Sequence, residues 1–351
     1  MSPSKAPYPD GTVFNGRYEV RGFLGRGAAG AAYKVFDAHL GVEVALKLLD
    51  PVGGGPAAWS EAQVLEKLGG DYLLPVHNAD VIAGTDIRFI TTKLMTGGDI
   101  ATACQRLGVA IATATAWSSQ IAHAAERLHS YGLLHRDIKP GNCFLGEDGY
   151  AYLADLGMAI SIDPSGTSLP DGTPVTVAPE VLDPQSGYCS VKSDVFSLGA
   201  TTFFMITGEY PVADTGQGKA QYLDDVRSGK GRRLRELSPH ATKSMAIVIE
   251  RALSKNPEDR QTSALEFANQ LATATIHRRS WHRVEHAGHH WCLEAPKEKT
   301  RQGAVICTNG ASPGYRIESK TSSGRAIRDG QRSGVKLRDI PKELRTITAS
   351  I

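Results

Sequence analysis

The stretch His135-Arg136-Asp137-Ile138-Lys139-Pro140-Gly141-Asn142 decides the reading of this chain. It sets an acid, a lysine two residues later and an amide five residues later in one short loop. Phosphoryl transfer to a hydroxyl needs such a set: a carboxylate to orient the hydroxyl and take its proton, a cation to offset charge near the transferring group, and an amide oxygen to help hold a divalent cation.

Working outward, Ala154-Asp155-Leu156-Gly157 follows, with Asp155 18 residues after Asp137. An Asp-Leu-Gly alone means no more than a turn, and its distance from Asp137 is what gives it weight. Upstream, Tyr18 to Gly25 alternates like a strand and runs into Gly25-Arg26-Gly27-Ala28-Ala29-Gly30. This glycine spacing is shared with dinucleotide-binding folds, which require a helix directly after it. Here Ala31 to Asp37 continues as a strand, which favours a hairpin whose backbone N–H groups can approach phosphate oxygens without a Cβ in the way. Val44-Ala45-Leu46-Lys47 is an apolar strand carrying a single lysine, 17 residues after Gly30. A lysine ending such a strand is usually a snorkelling surface residue.

These pieces, in this order and with Ala178-Pro179-Glu180 further on, resemble the motifs of protein kinases. Asn15-Gly16-Arg17-Tyr18 and the HRDIKPGN run are similar to the eukaryotic-like, Hanks-type serine/threonine kinases of bacteria. The resemblance covers residues 11–275, about three quarters of the chain. It implies an α+β, bilobal fold, with a β-rich small lobe at 11–95 and a helical large lobe at 96–275; residues 1–10 themselves read as a floppy leader. It implies ATP and Mg²⁺ as cofactors, with Mn²⁺ able to substitute, and protein serine or threonine as substrate.

The resemblance also implies roles, residue by residue. Asp137 would orient the hydroxyl and Lys139 would contact the transferring phosphoryl; a lysine at that place resembles the Ser/Thr-directed enzymes. His135 would be structural and take no part in the chemistry. Asn142 and Asp155 would hold Mg²⁺. Gly25, Gly27 and Gly30 would cover the phosphates, and Lys47 would bind two of them, held by Glu61 or, as the alternative, Glu66. Lys93, Leu94 and Met95 would form the hinge on the adenine edge, behind Thr92. Asp99 would meet the ribose, although the same residue reads equally well as a helix N-cap before Ile100. Ala32 departs from the family, which usually places valine against the adenine. Leu156 replaces the usual phenylalanine after Asp155, and Thr176 stands where many relatives have tyrosine.

Thr173 would touch both Asp137 and Lys139, Asp194 would bond the backbone of the catalytic loop, and Arg260 would pair with Glu180. Arg136 suggests regulation, because an arginine before the catalytic acid commonly receives an activation-segment phosphate. Ser165, Thr167 and Ser168 are the candidate phosphosites. Their ordinary reading is a polar loop. Two other classes stay open. A scaffold of this fold should lack one of Lys47, Asp137, Asn142 or Asp155, and none is missing. A small-molecule kinase should lack the segment that carries Thr173 and Glu180.

Composition agrees with a globular enzyme. Hydrophobic residues make up 41% and charged residues 22% of the 351, enough for a sizeable core and against global disorder. Cys104, Cys143, Cys189, Cys292 and Cys307 are few, odd in number and widely spaced, which argues against a disulfide framework. No apolar run reaches the ~20 residues of a membrane span, and the N-terminus has no signal-peptide core. A cytoplasmic protein is expected.

Charge is uneven. Residues 276–351 hold 15 Lys+Arg against 7 Asp+Glu, leaving 24 against 30 in the rest. Short strand-like runs at Ala304–Thr308, Tyr315–Glu318, Arg325–Arg328 and Val335–Arg338 predict a small β-rich appendage. A protein-binding or autoregulatory role is expected for it. Nucleic acid is the minority reading, since none of the usual signatures accompanies the basic residues. His277, His282, His286, His289 and His290 gather near Cys292. A zinc site is one reading, but the spacing fits no familiar finger, and surface histidines are the ordinary one.

Overall fold

The computed structural model describes residues 8–27, 30–49, 68–156, 159–185, 187–216, 218–275, 279–299 and 301–351. Glu61, Glu66 and Gly157 lie outside these residues.

The N-terminal part is a six-stranded sheet with neighbours in the order β1-β2-β3-β4-β6-β5. Its strands are β1 (Val13–Phe14), β2 (Tyr18–Gly27), β3 (Gly30–Asp37), β4 (Val42–Leu49), β5 (Val76–Val81) and β6 (Arg88–Lys93). All neighbouring pairs are antiparallel. Side chains of a strand alternate between faces, and the core follows that alternation. Ala31, Tyr33 and Val35 of β3 and Val44, Leu46 and Leu48 of β4 pack with Tyr18, Val20 and Phe89. Lys47, between Leu46 and Leu48, therefore points to the opposite face. Asp37 is buried, but it accepts two bonds from Arg17, at 2.8 and 2.7 Å, and two backbone N–H bonds. The Arg17 guanidinium holds its carboxyl below the usual range, against the upward pull of burial.

The second part is helical. Its helices are α1 (Ile100–Cys104), α2 (Ile111–Ser130), α3 (Val191–Thr207), α4 (Lys219–Ser228), α5 (Leu234–Leu237), α6 (Lys243–Ala252) and α7 (Ala264–Thr275). Ile121, Ala124 and Leu128 of α2 are fully buried, with Trp117 partly buried against the same core. Every residue of α3 from Ser193 to Thr207 is buried, the pattern of a helix enclosed on all sides. A capping box between Ser190 and Ser193 starts it, and Gly208 in the left-handed conformation ends it. Among these helices run short strands: β7 (Leu133–Leu134), β8 (Cys143–Leu145), β9 (Ala151–Leu153), β10 (Ile160–Ser161), β11 (Thr167–Ser168) and β12 (Cys189–Ser190). The pairs β7/β10 and β8/β9 bracket the two loops that carry Asp137 and Asp155. No helix of the described residues is long and apolar enough to cross a membrane.

The C-terminal part is an antiparallel five-stranded meander, β13 (His282–Val284), β14 (Trp291–Ala295), β15 (Ala304–Gly310), β16 (Tyr315–Thr321) and β17 (Arg332–Val335). One face packs on α8 (Ile340–Ser350) through Leu293, Ile306 and Ile317 against Ile340, Leu344 and Ile347. Two of the strand-like runs fall elsewhere. Arg325–Arg328 makes an isolated bridge and leads into a 3-10 turn, and Val335 ends a strand that begins earlier, at Arg332. The helix after them carries apolar residues at 340, 344 and 347, one helical face. This part docks on the helical one. Ile111 and Ala112 at the start of α2 donate to the Trp281 carbonyl (3.3 Å) and Ser280 Oγ (3.1 Å). Arg106 meets Glu285 at 3.1 Å, and Arg345 donates to the Arg235 carbonyl.

Candidate active site

The loop between β7 and β8 is held from below by one carboxylate. Asp194 is buried at the start of α3. Its Oδ2 accepts the His135 N–H and its Oδ1 the Arg136 N–H, each at 2.9 Å. His129 Nε2, from the last turn of α2, lies 2.9 Å from Oδ2. Burial pulls the Asp194 carboxyl upward, but the His129 bond and the neighbouring imidazoles and N–H groups outweigh it, so the carboxyl sits below its usual range. Arg136 has φ 67°, a left-handed conformation in which a side chain costs of order 1–3 kcal/mol. Bonds to Asp194 from its own and the preceding N–H hold the turn that leads into Asp137.

Asp137 is 4% exposed, and its carboxylate gathers three side chains. Lys139 Nζ donates to Oδ2 at 2.6 Å, Asn142 Nδ2 to Oδ2 at 2.9 Å, and Thr173 Oγ1 to Oδ1. Lys139 also donates to Thr173 Oγ1 at 2.8 Å. Asn142 spends its amide hydrogens on the Asp137 carboxylate and carbonyl, at 2.9 Å each, which turns its Oδ1 away from Asp137. The structure thus joins Asp137, Lys139, Asn142 and Thr173 in one network.

Asp155 sits opposite, after β9, with φ 63°. The Ala154 N–H donates to the Asn142 carbonyl at 2.9 Å, so the two loops are laced together directly. His135, fully buried, adds a second tie: its Nε2 is 3.1 Å from the Ala154 carbonyl, and its Nδ1 accepts the Asp137 N–H at 3.2 Å. From the sheet above, Lys47 Nζ donates to Asp155 Oδ1 at 2.7 Å. Burial works to raise the Asp155 carboxyl, but the charge and hydrogen bond of Lys47, with His135 and Lys139 nearby, bring it below its usual value. It is therefore an anion at neutral pH. The pair is partly open, with side chains 24% and 36% exposed, so a ligand can reach it.

Of the glycine run, Gly25 and Gly27 end β2 and Gly30 opens β3, with Gly25 opposite Ala32 and Gly27 opposite Gly30. Gly25 has φ 153°, which side chains disfavour, and among the described residues beyond its chain neighbours no atom lies within 4 Å of where a Cβ would stand. Glycine suits that backbone conformation. Ala32 pairs with Lys47 on the next strand. Lys93, Leu94 and Met95 lead from β6 to α1, half-buried, behind Thr92. Asp99 is the N-cap of α1: Oδ1 accepts the Thr102 N–H at 2.7 Å. The capping reading thus describes its contacts in this structure.

Arg260 is fully buried and reaches Glu180 through two bonds of 2.7 Å. Arg136 Nη1 donates to the Leu169 carbonyl at 3.2 Å, with Asp171 3.9 Å away. Ser165 and Thr167 lie in a turn organised by the exposed Asp163, which accepts both backbone N–H groups and both hydroxyls. Thr167 and Ser168 form β11, paired with β12. Glu61 lies outside the described residues, so Lys47 is placed here by its contact with Asp155.

Two contributors carry little signal in the sequence. His129 lies in the last turn of α2, outside every motif, and only the fold brings it to Asp194. The contacts of His135 are tertiary as well: its ring ties the Asp137 loop to the Asp155 loop.

A carboxylate clamped by a lysine, a hydroxyl and an amide, facing a second carboxylate bonded to a strand lysine, can orient a hydroxyl on one side and a cation-bound phosphate chain on the other. Comparison with known proteins agrees. The family model described as protein kinase domain matches residues 18–274. The DNA damage-responsive serine/threonine-protein kinase RqkA of Deinococcus radiodurans is 30% identical over 340 residues, covering 86% of this chain and 49% of that protein. Serine/threonine-protein kinase PknE of Mycobacterium tuberculosis is 30% identical over 284 residues, covering 76% and 48%. PknH of Mycobacterium bovis is 28% identical over 270 residues, covering 74% and 44%. The chain spans about half the length of the curated relatives it matches. With the family model matching most of its length, this chain belongs to the protein kinase family, among the bacterial Hanks-type serine/threonine kinases.

Proposed function

We propose that the chain is a bilobal serine/threonine protein kinase that transfers the γ-phosphoryl group of ATP to protein hydroxyls. The observation that carries this reading is the convergence of Lys139, Asn142 and Thr173 on the one carboxylate of Asp137, across from the Lys47–Asp155 pair. Asp137 orients the incoming hydroxyl and accepts its proton. Lys139 stands beside it to offset negative charge as transfer proceeds. Asn142 Oδ1 and the Asp155 carboxylate supply the hard oxygen donors that Mg²⁺, or Mn²⁺ in its place, prefers. Mg–ATP, when bound, supplies the phosphoryl group and neutralises charge on the phosphates. Gly25, Gly27 and Gly30 offer backbone N–H groups to phosphates, and Lys47 a cation. Lys93 to Met95 hold the base edge, and Asp99, beside its capping bond, meets the ribose.

Protein substrates are favoured over small molecules by the ordered segment from Thr173 to Glu180, tied to Asp137 at one end and Arg260 at the other. The same segment supports regulation by autophosphorylation. Ser165 is exposed, Thr167 and Ser168 are half-buried, and Arg136 bonds the carbonyl that follows Ser168. Unchanged activity after replacing all three by alanine would refute that part. The appendage at 276–351 contacts α2 and the Arg106 loop, which supports an autoregulatory or protein-docking role.

The test of the activity is transfer of labelled γ-phosphate to a generic serine- and threonine-containing protein, with Mg²⁺ and with chelator. Wild type should label it only with the metal, and Asp155→Asn should abolish labelling. Labelling that persists in Asp155→Asn would remove the reading.

A further inference from the structure

Outside the active site, the structure gathers four ligand-bearing side chains on the sheet face opposite α8. Cys292 and Cys307 are directly opposed on β14 and β15. Period-two alternation turns them away from Leu293 and Ile306, which face the helix. The loop between β13 and β14 folds back over them and brings His286 and His289, with the His289 N–H donating to the His286 carbonyl. One ligand atom from each of the four lies within 4.8 Å of all the others. No other such group of three or more occurs among the described residues.

We propose that His286, His289, Cys292 and Cys307 form a closed, structural Zn²⁺ site. His286 Nδ1 is 3.2 Å from Cys307 Sγ, and His289 Nδ1 is 3.4 Å from Cys292 Sγ. Zn–S bonds of about 2.3 Å and Zn–N bonds of about 2.0 Å at tetrahedral angles put sulfur and nitrogen about 3.5 Å apart. Two edges of the tetrahedron are thus already near their bound length, and a contraction of about 1 Å at the widest edge completes it. The other nitrogen of His286, Nε2, lies 3.2 Å from Glu294 Oε1. A carboxylate on the far nitrogen is the support that orients a metal-bound imidazole.

The donor set selects the ion. Two thiolates and two imidazoles suit Zn²⁺, whereas Mg²⁺ prefers oxygen. Binding converts two thiols to thiolates and releases two protons to solvent; no electron moves. All four positions come from the protein, which marks a structural rather than a catalytic centre. The ion would staple the β13–β14 loop to β15, and so fix Glu285, whose carboxylate meets Arg106 of the helical part.

The test uses the full chain, expressed with zinc in the medium and purified without chelator. Elemental analysis should find about one zinc per chain. Cys292→Ser and Cys307→Ser should each lose it, and His290→Ala, next to the cluster but outside it, should keep it. Wild type reconstituted with Co²⁺ needs no variant: it should show thiolate charge-transfer bands and the strong visible bands of a tetrahedral ion. Zinc retained by the Cys292→Ser/Cys307→Ser double variant would overturn the proposal. So would the absence of both zinc and cobalt–thiolate bands in wild type, or a Cys292–Cys307 disulfide in the native protein.

Discussion

Arg260 and Glu180 meet through two parallel hydrogen bonds of 2.7 Å, although 80 residues separate them. The arginine also donates to the carbonyls of Ser254, Lys192 and Lys255, and its guanidinium lies over the Phe196 ring. Every donor of a fully buried cation is spoken for. Removing one partner leaves a buried charge unpaired, so Glu180→Ala should destabilise the protein by about 3–5 kcal/mol. Urea unfolding measures this. A double variant with both residues made apolar should cost less than the two single losses added together. A change under about 1 kcal/mol in Glu180→Ala would contradict the account.

Asp194→Asn is nearly isosteric, yet an amide has one acceptor where the carboxylate has two. One of the His135 and Arg136 N–H groups would then face an NH₂. We expect a loss of about 2–4 kcal/mol, and a fall in activity because the left-handed turn at Arg136 loses its restraint. Urea unfolding and label transfer read the two effects separately, and unchanged stability would show that the carboxylate does not hold the loop.

Lys139→Met should act differently. The side chain stands at the mouth of the site, bonded to Asp137 and Thr173. The melting temperature should stay close to wild type while kcat falls by about 10²–10³-fold, with little change in the KM for ATP. An equal loss through KM would mean that Lys139 serves nucleotide binding instead.

His240 supplies a pH dependence. It is buried between α5 and α6, and neither ring nitrogen has a hydrogen-bond partner among the described residues. Burial, with the charges of His282 and Arg283 nearby, pushes its pKa down to about 3. The unfolded chain binds a proton below about 6.5 that the folded chain refuses. Its contribution to stability is therefore complete above that pH and is lost as pH falls from about 6.5 toward 3, by up to about 1.4 kcal/mol per unit. His240→Gln should show a shallower decline between pH 7 and 5 in urea unfolding. Identical slopes would show that His240 is protonated in the folded protein.

The motifs of the candidate site were legible because each is short and local. Gly25 to Gly30, Lys47, Asp137 to Asn142 and Asp155 are separated by fixed lengths of chain, and the contacts within the HRDIKPGN loop follow from residues two and five apart. What escaped depends on tertiary register. Whether Cys307 stands beside Cys292 is decided by how β14 pairs with β15, and a slip of one residue would turn it to the other face. The histidines could be counted in the sequence, but their fourth partner could not. Arg325–Arg328 reads as a strand by its side chains, yet the turn at Ser322–Gly324 leaves it only one bridge to β16. Helix α8 was hidden among basic residues, since its stripe of Ile340, Leu344 and Ile347 is legible only once a sheet is known to need covering.

The most direct test of the central claim is phosphosite mapping of wild type beside Asp137→Asn, each incubated with Mg²⁺ and ATP after phosphatase treatment. The account predicts new phosphate on serine or threonine in wild type, with Ser165, Thr167 or Ser168 among the sites, and none in the variant although it still binds ATP. Equal phosphorylation of the two proteins would contradict it, because Asp137 would then not be the group that orients the hydroxyl.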